Sequence, residues 1–301
     1  MNNNLKKEKK LFFSILVNLF ITIVEIVGGI LSNSMALISD AVHNLNDSIS
    51  IVLSYIALKI SKKSYNKLWT YGYKRVEILT AFVNSILLIV MVFFILYSTT
   101  KRIINKSDIH AELMLGVAIV GFLGNLISVI LLHGEIKENI NIRSAYLHLL
   151  GDTFSSIAVI IGAVIINMFG FLWVDILISI SISIFILKEA YKILKQTFLI
   201  LMQAVPSEIN IEEIRNSLEK LDYVKNIHHV HIWNLNEREI HYECHVELVN
   251  DFNISKTDEL TTKISKILLN NFGITHVTLQ YEYNSCCDIR NLYNGCDTAY
   301  K

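Results

Sequence analysis

The sequence predicts an α-helical membrane protein: six spanning helices followed by a small α+β domain. Three observations predict it. The 301 residues are 52% hydrophobic with a mean hydropathy of +0.45, too apolar for an ordinary soluble chain of this length. Apolar runs fill the chain up to its single proline, Pro206, and most reach the ~20 residues a helix needs to cross a bilayer. Beyond Pro206 the runs give way to shorter, amphipathic periodicities.

In chain order the runs are Leu11–Leu31, Met35–Ile60, Ile78–Thr99, Leu113–Leu132, Ala145–Met168 and Leu172–Leu187. Basic residues mark their connections unevenly. The N-terminal segment, the second and fourth connections and the exit from the sixth run carry Lys6, Lys7, Lys9, Lys10, Lys59, Lys62, Lys63, Lys67, Lys74, Arg75, Lys137, Arg143, Lys188, Lys192 and Lys195. The opposite side carries only Lys101, Arg102 and Lys106. This excess predicts that both termini are cytoplasmic. The basic start leads into a run too long for the apolar region of a signal peptide, and no small-residue cleavage site follows, so no cleaved leader is expected.

After Pro206, residues Ile211, Ile214, Leu218 and Leu221 recur at helical spacing within 207–221. Segments 224–235 and 240–249 alternate as strands around a polar turn, Asn236-Glu237-Arg238. Residues 254–271 read as an amphipathic helix closed by Gly273, and 274–283 as a third strand. The order α-β-β-α-β predicts a ferredoxin-like domain. The expected division is a membrane domain over 1–205, a soluble domain over 206–284 and an unstructured, cysteine-containing tail over 285–301.

Charge and cysteine content exclude several classes. The formal net charge is zero, which argues against nucleic acid as a partner. Of four cysteines, Cys286, Cys287 and Cys296 crowd the tail and Cys244 lies in a polar segment. That is no disulfide framework and fits reduced thiols on the cytosolic side. The excess of Ile, Asn and Lys suggests an AT-rich genome, and a bacterial plasma membrane is the expected location.

Two stretches carry the chemistry. Asp40-Ala41-Val42-His43-Asn44-Leu45-Asn46-Asp47 and Tyr146-Leu147-His148-Leu149-Leu150-Gly151-Asp152 each hold a His and, four residues on, an Asp. Residues four apart share a helix face, with Cβ atoms about 5–6 Å apart. Two such helices packed together offer His43, Asp47, His148 and Asp152 to one tetrahedral divalent ion such as zinc. An Asp at the centre of a spanning helix costs about 2.5–3.5 kcal/mol on insertion scales, so matched pairs call for a compensating cation. The bland alternative is that the imidazoles bond to backbone and the acids cap helices. Asp40 either assists ion access and release or favours its helix N-terminus, and the second is preferred. Asn44 reads as either a support of the ligands or helix packing, with packing preferred, and Glu25, Asn18, Glu77, Asn84 and Asn125 read as interhelix hydrogen-bonding positions. Gly28, Gly29, Gly116, Gly121, Gly124, Gly151 and Gly162 read as points of close helix approach.

These stretches resemble the cation diffusion facilitator family in its zinc-type branch. Thr70-Tyr71-Gly72-Tyr73-Lys74-Arg75-Val76-Glu77-Ile78-Leu79 resembles that family's approach to helix three, and Trp173-Val174-Asp175 its start of helix six. Ile227-His228-His229-Val230-His231-Ile232-Trp233 resembles its cytosolic motif Val-His-Asp-Leu-His-Ile-Trp, and His276 to Glu282 its last strand. The resemblance implies a homodimeric antiporter exporting Zn²⁺, with Cd²⁺ and Co²⁺ as alternatives, in exchange for protons. It implies no enzymatic activity and no prosthetic group: Zn²⁺ is the substrate, and also a regulatory ligand of the soluble domain. It places His228, His245 and Glu282 at metal-binding positions of relatives. Cys286 and Cys287 are candidates to complete that shell, because thiolates suit zinc. Alternation puts His241, Glu243, His245 and Glu247 on one strand face, either a metal-lined surface or an ordinary polar one. The family's loop histidines are replaced here by Tyr71 and Tyr73, so no metal site is expected in that loop. Two rival readings stay open. A membrane-embedded metalloenzyme lacks its expected His-Glu-x-x-His, and a metal sensor lacks a signalling segment after the membrane part.

Overall fold

A computed structural model of the chain describes the backbone of residues 2–105, 108–133 and 140–284. Of these, the side chains of 2–15, 103, 105, 131–133, 140–145 and 148 are not described. The chain divides into two compact units, one of Met1–Ile56 with Ala81–Leu194, the other of Ala57–Thr80 with Lys195–Lys301.

The helices before Pro206 are α1 (Asn2–Ser32), α2 (Met35–Ser61), α3 (Val76–Asn105), α4 (Ala111–His133), α5 (Ile140–Phe169) and α6 (Trp173–Leu201), and all but the end of α2, the start of α3 and the end of α6 belong to the first unit. Among the described residues three stretches are long and apolar enough to cross a membrane: Val76–Arg102, Ala111–Ile130 and Leu149–Phe169. The interior is where the polar side chains are. Thr22, Glu25, Asn44, Asn125, Ser128, Ser156, Asp175 and Ser183 are buried, while Phe20, Phe93, Phe94 and Phe154 are exposed. That inversion suits hydrocarbon as the surrounding solvent, where polar groups must find partners within the bundle. An apolar core of Ala36 and Leu37 from α2, Met114, Val117 and Ala118 from α4, Val159, Ala163 and Ile166 from α5 and Val174 from α6 locks one end.

Small residues set the close approaches. A Cβ on Gly28 would lie 2.4 Å from Val117 on α4, and one on Gly162 would lie 2.3 Å from Ile178 on α6. Gly116 and Gly151, expected to do the same, have nothing within 4 Å; they sit on faces that no described helix covers.

α6 runs fourteen residues beyond the apolar stretch that announced it, from Leu187 to Leu201. Lys188, Glu189, Lys192 and Lys195 end the apolar run without ending the helix, since these residues favour helix when solvated. The stop comes at Gln203 in left-handed conformation, with the Ala204 amide donating to the Leu199 carbonyl, a Schellman-type closure without glycine.

In the second unit α7 spans only Ile211–Leu218, shorter than the periodicity suggested, because Asn210 caps it by accepting from the Glu212 amide. β1 (Val224–Asn234) pairs antiparallel with β2 (Ile240–Leu248), and α8 (Ile254–Phe272) returns the chain to β3 (His276–Tyr283), parallel to β2. Asn253 caps α8, and Gly273 at φ 68° closes it, so β3 starts two residues later than alternation predicted. Ile214 and Leu218 of α7 and Leu260, Ile264 and Leu268 of α8 pack on one sheet face against Ile227, Ile232, Tyr242, Cys244 and Val246. The opposite face is left to polar residues.

Candidate functional site

On α2, helical spacing brings His43 Nδ1 to 3.6 Å from Asp47 Oδ2. Across to α5, His43 Nε2 lies 3.8 Å from Asp152 Oδ1. One ligand atom from each of His43, Asp47 and Asp152 falls within 4.8 Å of the others. The fourth predicted member, His148, lies on α5, and its side chain is outside the described residues. Asp152 is 2% exposed, whereas His43 and Asp47 are partly open, so the cluster has one accessible side.

Buried hydrogen bonds orient this cluster. Ser155 Oγ on α5 donates to Asp40 Oδ1 on α2 at 2.5 Å, which ties the two ligand-bearing helices together one turn from His43. Asp40 therefore works within the bundle and not as an N-terminal charge. Asn44 donates to Glu25 Oε2 of α1 at 2.8 Å, and Glu25 lies close against α4, a Cβ at Gly121 lying 2.4 Å from Oε1. Asn84 donates to Ser50, and Asn125 to Ser156. Glu77 accepts from Ser61. Glu25, Glu77, Asn84 and Asn125 thus make interhelix bonds as the sequence suggested, Asn44 bonds where packing was expected, and Asn18 Oδ1 has no partner among the described residues.

The start of α2 is held from a distance. Asp175, at the first turn of α6 and fully buried, accepts from Ser34 Oγ at 2.5 Å, the Met35 amide at 2.9 Å and the Ala36 amide at 3.1 Å. A carboxylate there satisfies orphan amides and complements the helix dipole. Sequence reasoning missed this role; the signal was an unpaired acid opening a helix after an aromatic pair.

A second cluster lies on the polar face of the sheet. His228 on β1 pairs with His245 on β2, and both meet Glu282 of β3. His228 Nε2 is 3.3 Å from Glu282 Oε2, and His245 Nδ1 is 2.7 Å from Oε1. One ligand atom from each of the three lies within 4.8 Å of the others. Burial holds the His245 imidazole below its ordinary pKa, against the opposing pull of Glu282. It is therefore neutral at pH 7, as a metal ligand must be.

The remaining candidates scatter. Cys286 and Cys287 lie outside the described residues. Cys244 points into the apolar core, where burial pushes its thiol up to about 12, so it is no thiolate ligand at neutral pH. Cys244 in native protein should resist a maleimide at pH 7.5 and react only after denaturation, read by the mass of the peptide carrying it; native labelling contradicts this burial. His241, at the other end of β2, stacks on Trp233 and contacts Tyr71 and His276. Next to it Lys74 and Glu239 form an ion pair at 2.5 Å. The dense set of histidines is thus split into two groups, one around His241 near the start of β2 and one around His245 four residues further on.

Known proteins carry the same layout. Residues 11–202 match the family described as cation efflux transmembrane domain, and 206–284 match the cation efflux protein, cytoplasmic domain. A cadmium, cobalt and zinc/H(+)-K(+) antiporter of Bacillus subtilis (strain 168) is 36% identical over 283 residues, covering 93% of this chain and 91% of its own. The metal cation efflux system protein CzcD of Cupriavidus metallidurans is 35% identical over 264 residues, 88% and 83% of the two chains. The zinc transporter ZitB of Escherichia coli (strain K12) is 32% identical over 280 residues, 92% and 88%.

Proposed function

This chain belongs to the cation efflux family, and from that premise we propose that it exports Zn²⁺ from the cytoplasm in exchange for protons, with Cd²⁺ and Co²⁺ as further substrates. The observation that carries the reading is the His43–Asp47–Asp152 cluster between two helices of the membrane unit. His148 is assigned as its fourth ligand. Supporting the substrate class are the metals and the proton in the relatives' names. The family is one of transporters, so the metalloenzyme and sensor readings are set aside.

The proposed arrangement has six spans over 1–205, both termini in the cytoplasm, a ferredoxin-like domain over 206–284, a tail over 285–301 and a homodimeric assembly. The uneven distribution of Lys and Arg supports the orientation.

The chemistry follows from competition for lone pairs. A proton and a metal ion cannot share one imidazole nitrogen, so the two compete for His43 and protonation releases the metal. Asp47 and Asp152 supply the carboxylate oxygens that balance the dication in a medium of low dielectric. Access alternating between the two sides turns this competition into exchange driven by an inward proton gradient. His228, His245 and Glu282 would hold a regulatory ion in the soluble domain.

Proteoliposomes test the reading directly. Zinc movement should be accompanied by counter-movement of protons, and should accelerate with an imposed pH gradient; zinc flux indifferent to the gradient sinks the exchange. His43→Asp should relax selectivity toward manganese, because a hard oxygen ligand replaces a nitrogen one. Competition assays in the same vesicles would reveal it, and an unchanged preference for zinc over manganese would refute the role given to His43.

A further inference from the structure

We propose that His229 is a fourth ligand of the soluble-domain metal site, closing the set begun by His228, His245 and Glu282. This rests on the reading of that trio as a metal site and adds to it the residue that completes the coordination.

The backbone makes the argument. In a regular strand neighbours point to opposite faces, and His229 would follow Ile227 into the apolar core. It does not. Pairing runs His228↔His245 and then His231↔Glu243, so β1 holds one residue more than β2 across this step. The extra residue is accommodated as a bulge, with His229 at φ 50°. Ile227 lies in the core before it, and Val230 and Ile232 after it. His229 is the residue set aside, and its ring stacks on His245 with centroids 4.6 Å apart and planes 25° apart.

Left-handed backbone is unfavourable for a side chain with a Cβ and persists where the surroundings hold it. Here glycine would serve the fold better, yet an imidazole stands between those of His245 and His231, with ring centroids 4.6 and 4.8 Å away. Its Nδ1 is buried and has no hydrogen-bond partner among the described residues, an unfavourable state that a ligand would relieve. The trio offers three ligand atoms within 4.8 Å, whereas a closed tetrahedral zinc site takes four. Rotation of the His229 ring away from its stack supplies the fourth. Three nitrogens and one carboxylate favour Zn²⁺ and Co²⁺ over Mg²⁺ and Mn²⁺.

The test uses full-length protein in detergent with Asp47→Ala and Asp152→Ala as background, so that metal is counted at the soluble domain. In that background His229→Gly removes the imidazole and relieves the backbone. The apo protein should melt no lower than its parent, Zn²⁺ affinity should fall at least tenfold, and the tetrahedral Co²⁺ absorption band should weaken. His229→Asn, which also tolerates left-handed backbone, should lose affinity likewise and guards against a folding artefact. Lys263→Ala, on the exposed face of α8, should change neither reading. A glycine variant that binds Zn²⁺ like its parent, with an unchanged Co²⁺ spectrum, overturns the proposal while leaving the trio intact. A parent that takes up neither metal overturns the trio, and His229 with it.

Discussion

Asp152→Ala is expected to abolish metal transport while leaving the protein in the membrane. Asp152 is the most buried member of its cluster and the one described side chain that brings a carboxylate from α5 to His43, at 3.8 Å. Losing an outer-sphere partner alone costs about 10–100-fold in metal affinity, so losing a direct carboxylate should cost about a hundredfold or more. The fold should survive. Ser155 and Ser156 bond to the backbone carbonyl of Asp152, which alanine keeps, and alanine is the best helix former. Zinc flux into proteoliposomes, normalised to reconstituted protein, measures the effect. Flux above a tenth of the parent's would remove Asp152 from the transport site.

Asp175→Ala should instead act on stability. Its carboxylate is completely buried and holds three donors at the start of α2. Deleting it strands two backbone amides and a hydroxyl in an apolar end of the bundle, and each unsatisfied donor costs about 1–3 kcal/mol. We expect a loss of about 3 kcal/mol or more, partly recovered in Asp175→Asn, which keeps one acceptor. A melting curve in detergent should move down by several degrees. Because α2 carries His43 and Asp47 two to three turns further on, zinc affinity should weaken as well. A melting temperature equal to the parent's would show that water replaces the carboxylate at this cap.

Polar positions also explain which helices were easy to see. α3, α4 and α5 contain uninterrupted apolar stretches, and periodicity finds such stretches without help. α2 carries Asp40, His43, Asn44, Asn46 and Asp47 in its first half, so its hydropathy falls where its function lies. α8 and its Gly273 closure were legible because an amphipathic stripe and a left-handed cap are local properties. The second histidine cluster was legible only in part. Alternation along β2 placed His245 correctly, but alternation along β1 fails at His229, where an inserted residue shifts the phase.

What the sequence alone determined were spacings: a His and an Asp four apart on each of two apolar segments, and an order of elements after Pro206. These depend on helix and strand geometry, which every chain shares. Tertiary structure alone decided Asp175 at the head of α2 from 140 residues away and the bulge that sets His229 aside, and it supplied the distances of Asp152 from His43 and of Glu282 from two histidines of other strands. Such contacts depend on how whole faces pack, and packing sums many weak contacts that no single spacing encodes.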